Sequence, residues 1–416
     1  MTLDPARVVR ELRELHELTG DGSGAQRVAW SKTWQAAREW LADKLDALPV
    51  EQEIDEAGNQ WATLRGRSRR SLLIGGHLDS VPNGGWLDGC LNVVAGLEIM
   101  RRLVTDAQPV LTVRLVSWAD EEGARFGRSL FGSAAATGLL EERLRGFRDR
   151  NGIALPDALA AYGVNLDRAG DSSRMLNDAC GYLELHIEQG PVLEALDLPL
   201  GVVTGTFGVE RHLVTFTGQA AHSGSTPIDM RHDPVCAAAR LTLAIRASAR
   251  REGGVGTVGR INAEPGTATA VAGTCAVTVD QRHLDPGSLA RMLQGVRASS
   301  ERIATEERVE VRWEPVFRAS PQTFDPQLIA ICEEAAKAVS GSCHRLPSGP
   351  LHDATSVAGS GIPTGMIFVQ SLGGLSHTNA EDTRAKHLVL AVRALDLAVE
   401  RTLESLGFDV ESTASA

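Results

Sequence analysis

What the chain lacks narrows its biology before any motif is read. It has no apolar run near the roughly 20 residues that a membrane-spanning helix needs, so a bilayer is not an expected partner. Positive charge is the minority: 42 Lys and Arg stand against 53 Asp and Glu, a formal net charge of −11. That balance argues against nucleic acid and against an anionic membrane surface. The six cysteines, at 90, 180, 236, 275, 332 and 343, show no CxxC spacing. They read as small buried hydrophobes in a reducing, cytoplasmic setting. The opening residues, MTLDPARVVRELRELHELTG, carry an amphipathic helix pattern without the apolar core of a signal peptide. No repeat or long low-complexity tract occurs, and only the tail, Glu411–Ala416, reads as unstructured.

What is present is an ordinary globular composition, 43% hydrophobic and 23% charged, over 416 residues, a length that suggests two domains. The chain is organised around LLIGGHLDSVPNGGWLDGCLN, from Leu72 to Asn92. Leu72-Leu73-Ile74 reads as a buried strand, with His77 and Asp79 at its end on one face and Asp88 past a Pro/Asn/Gly turn. Each residue alone could be an ordinary loop former. Together an imidazole and two carboxylates match what a hard or borderline metal ion needs, one of them free to hold the imidazole tautomer.

Further strands end in the same chemistry. PVLTVRLVS runs into Asp120-Glu121-Glu122-Gly123, where a bent backbone would let the two glutamates take different tasks; a solvated acidic turn is the competing reading. GYLELHIEQG ends at His186 with Glu188 and Gln189, and SLGGLSHTNAE places His377 in the context of His77. The aromatic-rich helix pattern over Ser31–Leu48 reads as core, and the charge-dense Gly138–Asp178 as polar surface cover. Alternating strands and helices imply an α/β catalytic domain with a mixed or parallel sheet and a site beyond the strand ends. From Val209 to Asp325 a β-α-β-β-α-β order fits an inserted α+β sandwich, dividing the chain into 1–208, 209–325 and 326–416. Inside it His222 lies in a Gly/Ser/Thr/Pro loop.

The strand-end residues His77, Asp88, Glu122, His186 and His377 could serve two ions, with one carboxylate shared. Two cations roughly 3.5–4 Å apart, bridged by Asp and hydroxide, are a known hydrolytic device. Nitrogen and oxygen ligands accept zinc, manganese or cobalt alike.

The motifs GHLDSVPNGGWLDG, WADEEGARFG, ELHIEQGPVLE, HSGSTP, DQR and SHTNAED resemble the hydantoinase/carbamoylase branch of the dimetal, carboxypeptidase G-like peptidases. The branch contains N-carbamoyl-L-amino-acid hydrolases, allantoate amidohydrolase and a ureidopropionase, and the likeness covers nearly the whole chain. The resemblance implies a dimetal aminopeptidase-like catalytic domain with an inserted lid and dimerisation domain, acting as a homodimer on a small N-carbamoyl or N-acyl amino acid. It gives His77, Asp88 and His186 to one metal and Asp88, Glu122 and His377 to the other. Glu121 would be the general base and Asp79 would orient His77. His222 would reach the partner's active site, Arg282 would grip a substrate carboxylate, and Gln189 would line the substrate site. The family pattern usually has Gln where Val209 stands, Asn for Thr269 and Gly for Leu351; Asn92 and Ser223 replace a usual Gly and Ala. The first two departures remove amide groups that a ureido substrate would use. A dipeptidase or aminoacylase of the same clan, or a catalytically inactive binding protein, is the alternative expectation.

Overall fold

The computed structural model describes residues 2–414. Of the tail expected to lack structure, the first four residues continue the last helix, Ala385–Ala414, and the final two lie outside the described residues. The chain divides into two compact units, one formed by 1–204 with 324–416 and the other by 205–323.

Local chemistry sets the helix starts. Pro5–Thr19, Pro234–Glu252, Pro286–Glu307 and Pro326–Ser340 all begin at an Asp-Pro pair. The aspartate side chain accepts a backbone N–H of the first turn, at 3.1 Å from Arg7, 2.9 Å from Val235, 2.6 Å from Ser288 and 2.9 Å from Leu328. Proline at the first helical position forfeits an N–H that has no helical partner in any case.

In the first unit the sheet is mixed. Leu111–Trp118, Ser68–His77, Ala179–Ile187 and Thr364–Val369 are adjacent and parallel. Gln60–Leu64 and then Glu51–Ile54 extend one side antiparallel, and Leu200–Thr206 extends the other. The four parallel strands are buried on both faces, as continuous apolar runs such as Leu72-Leu73-Ile74 require. Strand alternation assigns the faces. A Cβ at Gly181 would meet Leu328 and Leu406 of two covering helices, whereas Glu184, of the opposite parity, accepts the Ala354 N–H of the Asp353–Gly359 helix at 3.0 Å.

The segment Gly138–Asp178, expected as polar cover, instead carries its own apolar centre. Leu144, Leu155, Leu159 and Val164 pack with Trp30 and Trp34 in a second core cluster. Its short and 3-10 helices leave the apolar residues too irregularly spaced to show as a helical stripe.

The second unit is a four-stranded antiparallel sheet, in the order Val255–Glu264, Thr274–His283, Gly208–Thr217, Glu310–Ala319. The helices Pro234–Glu252 and Pro286–Glu307 cover one face, where Phe216, Leu241, Ile245, Val277 and Val296 form the core. This is the β-α-β-β-α-β sandwich that the hydrophobic pattern implies.

Candidate functional site

The carboxyl ends of the four parallel strands converge on one site, where open α/β sheets place their ligands. Register pairs His77 with Trp118 and Ile187 with Val369, so His77, the Asp120–Glu122 turn, His186 and the Ser371–Glu381 segment all leave the sheet at one edge. Asp88 returns over His77 through Gly89, whose φ is +67°. A Cβ there would lie 2.3 Å from the His77 ring, so only glycine permits the approach.

Asp88 is the hub, and its two oxygens face opposite ways. Oδ1 lies 3.1 Å from His186 Nε2 and 3.7 Å from His77 Nε2, while Oδ2 lies 3.5 Å from His377 Nε2. Glu122 Oε2 is 3.3 Å from the same His377 nitrogen. Two ligand groups share Asp88, His77–Asp88–His186 and Asp88–Glu122–His377, and a third, Glu184–His186–His352, shares His186, each with its ligand atoms within 4.8 Å of one another. Glu121 belongs to none of them, and its Oε2 stands 3.8 Å from His77 Nε2.

Asp79, expected to orient His77, contacts the ring through its main chain. His77 Nδ1 bonds the Asp79 main-chain carbonyl at 3.0 Å, and the carboxylate stays 3.7 Å away. That carboxylate instead accepts the backbone N–H groups of Glu121 and Glu122, at 3.2 and 3.0 Å. It therefore fixes the turn that aims the two glutamates apart. Asp120, Gln189 and His377 all hold positive φ values of +55° to +57°, uncommon for such residues and concentrated at functional sites.

Three supporting residues escape a reading by strand ends. Glu381 Oε1 accepts the N–H groups of Leu87 and Asp88, at 3.1 and 3.0 Å, which locks the Asp88 loop. Ser376 Oγ lies 2.9 Å from Asp88 Oδ2, and Gln189 Nε2 donates to the same oxygen at 2.9 Å. His352, buried with its ring centroid 4.4 Å from that of His186, bonds Ser348 Oγ through Nε2 at 2.9 Å. The HDA triplet after Leu351 and the AED triplet after Asn379 were the only sequence signals for His352 and Glu381.

Burial, then the neighbouring carboxylates Glu122, Asp353, Asp79 and Asp88, push the Glu121 carboxyl well above its ordinary range. Burial with Asp88, Asp79 and Glu381 does the same to Glu122. Burial also lifts Asp79 and Glu381 to about 7. At Asp88, burial is overcome by the hydrogen bond from His186 and by the surrounding imidazoles, which hold its carboxyl below the usual value. Burial lowers His77 to about 4, so this ring is neutral and offers a lone pair.

These groups fit a pair of divalent cations. A buried cluster of carboxylates is costly without compensating positive charge. Glu122 Oε1 is buried with no hydrogen-bond partner, as a further donor atom would be. The donors are imidazole nitrogens and carboxylate oxygens, the set suited to zinc, manganese or cobalt.

In the second unit, four further candidates separate into two places. Arg282 is the cross-strand partner of Val209, on the face away from the helices, and its Nε donates to Asp280 Oδ1 at 2.7 Å. Arg211 donates to the other oxygen of Asp280, at 2.7 and 2.9 Å. The exposed His222 lies beside Thr269, whose carbonyl accepts the Ser223 N–H at 3.0 Å. Val209 stands near the start of the ten-residue strand Gly208–Thr217, whereas His222 follows that strand in a separate pair, Ala221–His222 against Ala270–Val271.

The pattern of peptidase family M20/M25/M40 matches residues 73–401. This chain belongs to that family. Among curated proteins it is 35% identical to the N-carbamoyl-L-amino acid amidohydrolase of Geobacillus stearothermophilus, over 90% of this chain and 93% of that protein. It is 33% identical to the allantoate amidohydrolase of Bacillus subtilis (strain 168), over 91% and 92%. Among solved structures, an amidase of the hydantoinase/carbamoylase family from Burkholderia multivorans superposes with a TM-score of 0.87 at 31% identity, covering 95% and 97% of the two chains. The chain thus falls in the hydantoinase/carbamoylase branch of this family and is a hydrolase. The family is dimetal-dependent. Among the described residues no helix is long and apolar enough to cross a membrane.

Proposed function

We propose that this chain is a dimetal amidohydrolase, cleaving the amide or ureido bond of an N-carbamoyl- or N-acyl-L-amino acid in the cytoplasm as a homodimer. The observation that carries the reading is Asp88, whose Oδ1 faces His77 and His186 while Oδ2 faces His377. In this reading His77, Asp88 and His186 hold one ion, and Asp88, Glu122 and His377 hold the other. Zinc, manganese or cobalt bound there would supply Lewis acidity toward the scissile carbonyl and make water acidic near neutral pH.

The chain's own residues do the rest. Glu121, outside both ligand groups, takes a proton from the attacking water and returns it to the leaving nitrogen as the tetrahedral intermediate collapses. Asp79 keeps Glu121 and Glu122 on separate tasks through their backbone N–H groups. Arg282, steadied by Asp280, pairs with the substrate carboxylate. Gln189 sits against Asp88 at the edge of the substrate site. His222 stabilises the oxyanion. In this reading Arg282 and Val209, which are cross-strand neighbours, come from one copy of the chain, and His222, which lies beside Thr269, comes from its partner.

Val209, buried beside Arg282 without a polar head, favours an apolar substrate group over a second ureido group. The test is hydrolysis of a panel of N-carbamoyl, N-acetyl and N-formyl amino acids, dipeptides and allantoate, with added Mn, Co or Zn. Turnover of N-carbamoyl or N-acyl amino acids supports the reading. Cleavage of dipeptides alone would reassign the enzyme to peptide substrates, and efficient allantoate hydrolysis would overturn the substrate class.

A further inference from the structure

The pairing between strands Ser68–His77 and Ala179–Ile187 stops at Ile74 opposite Leu183, although both strands run on. Past this fork each backbone carries one histidine of the first ligand group, His77 or His186. A fork inside a buried sheet leaves facing carbonyl and N–H groups without ladder partners, and buried backbone rarely tolerates that. Here the gap is bridged by one side chain. Asn92 Nδ2 donates to the Gly75 carbonyl, and Asn92 Oδ1 accepts the Leu185 N–H at 2.9 Å.

Asn92 is fully buried in the first turn of the Cys90–Leu103 helix, four residues after Asp88. Its primary amide carries the donor and the acceptor that the two edges demand. Gly76 makes room, since a Cβ there would lie 3.0 Å from the Asn92 Cβ. One amide thus ties together three backbones: the helix that follows Asp88, the strand two residues before His77, and the strand one residue before His186.

We infer that Asn92 is a positioning residue that sets the separation of His77 and His186, and with it the cation affinity of the His77–Asp88–His186 group. The inference rests on the dimetal reading above. It is selective, because the two bonds of the amide go to the strands of His77 and His186, not to the segments carrying Glu122 and His377.

The test is zinc titration of metal-free full-length protein in two backgrounds. His377→Ala leaves the first group, and His186→Ala leaves the second. Adding Asn92→Gly is expected to weaken zinc binding about 10–100-fold in the His377→Ala background, the usual cost of losing support behind metal ligands, and to leave it within about threefold in the other. Asn92→Asp keeps the acceptor for Leu185 and loses the donor to Gly75, so it is expected to weaken the same group, and it serves if the glycine variant does not fold. Equal weakening in both backgrounds, or none in the first, overturns the inference and leaves Asn92 as packing. If the unmodified chain itself binds fewer than two ions, the dimetal reading falls and the inference with it.

Discussion

Replacing Glu121 with Gln separates the base from the ligands more cleanly than any other single change. The amide keeps the volume of the carboxylate and cannot take a proton. Glu121 lies in no ligand group, with Oε2 3.8 Å from His77 Nε2, so both ions should stay. Removing its charge also relieves the repulsion from Glu122, Asp353, Asp79 and Asp88 that, after burial, lifts its carboxyl, so the fold should not weaken. A positioned general base contributes about 10²–10⁴-fold. kcat should therefore fall by that factor, about 2.7–5.4 kcal/mol of barrier. The assay is kcat and kcat/KM on an N-carbamoyl amino acid across pH, with metal content measured on the same samples. The base works ionised and its carboxyl is raised, so wild-type activity should climb with pH through an acid limb that the variant lacks. Near-normal turnover with two ions present would refute the role and point to Glu122. Loss of an ion would show that Glu121 is a ligand.

Other perturbations test other parts of the account. Arg282→Ala should raise KM for every carboxylated substrate by at least tenfold, the worth of a charge-assisted hydrogen bond, in a steady-state comparison of esters and free acids; equal KM values for the two would remove Arg282 from the substrate site. Mixed from unfolded chains, the inactive His222→Ala and Glu121→Gln variants should regain about a quarter of wild-type activity, because half the dimers are mixed and one of their two sites is intact; no recovery from well-formed dimers would contradict a shared site. In metal-free protein, burial holds Asp79, Glu184 and Glu381 at about 7 and Asp120 at about 8. Their folded values exceed the unfolded ones, so the fold binds more protons between about pH 4 and 7 and its stability falls as pH rises through that window. Melting temperature after chelation should drop from about pH 5 to 7, and added divalent metal should remove most of the slope; a chelated protein that grows more stable over that range would contradict the charge balance.

The residues grouped around Asp88 were legible as a cluster because His77 and His186 stand at strand ends and Glu122, Asp88 and His377 in the turns and loops that follow such strands. His77 after Leu72–Gly76 and His377 after Ser371–Gly374 are the clearest cases. The inserted sandwich was legible for a related reason, since its central strand Thr274–His283 alternates and its helices open with Asp-Pro. What escaped depends on contacts between distant segments. Glu381 holds the amide of Asp88 across 293 positions, a task that its AED triplet does not specify. The apolar residues of Gly138–Asp178 looked too sparse for a core because their partners, Trp30 and Trp34, lie more than a hundred residues earlier. The use of the Asp79 carbonyl rather than its carboxylate is a matter of rotamer, which spacing does not encode. That Arg282 pairs with Val209, and that His222 sits against the segment holding Thr269, follows only once strand register is known.

The central claim is that Asp88 joins two cation sites. Elemental analysis of the purified chain and of Asp88→Ala, each loaded with excess zinc and desalted, tests it most directly. The account predicts two ions per chain for the unmodified protein, and the loss of both in the variant, because each group would then keep two of its three ligands. Glu122→Ala and His377→Ala should each retain one. Two ions per chain in Asp88→Ala would contradict the shared-carboxylate site on which the proposed function stands.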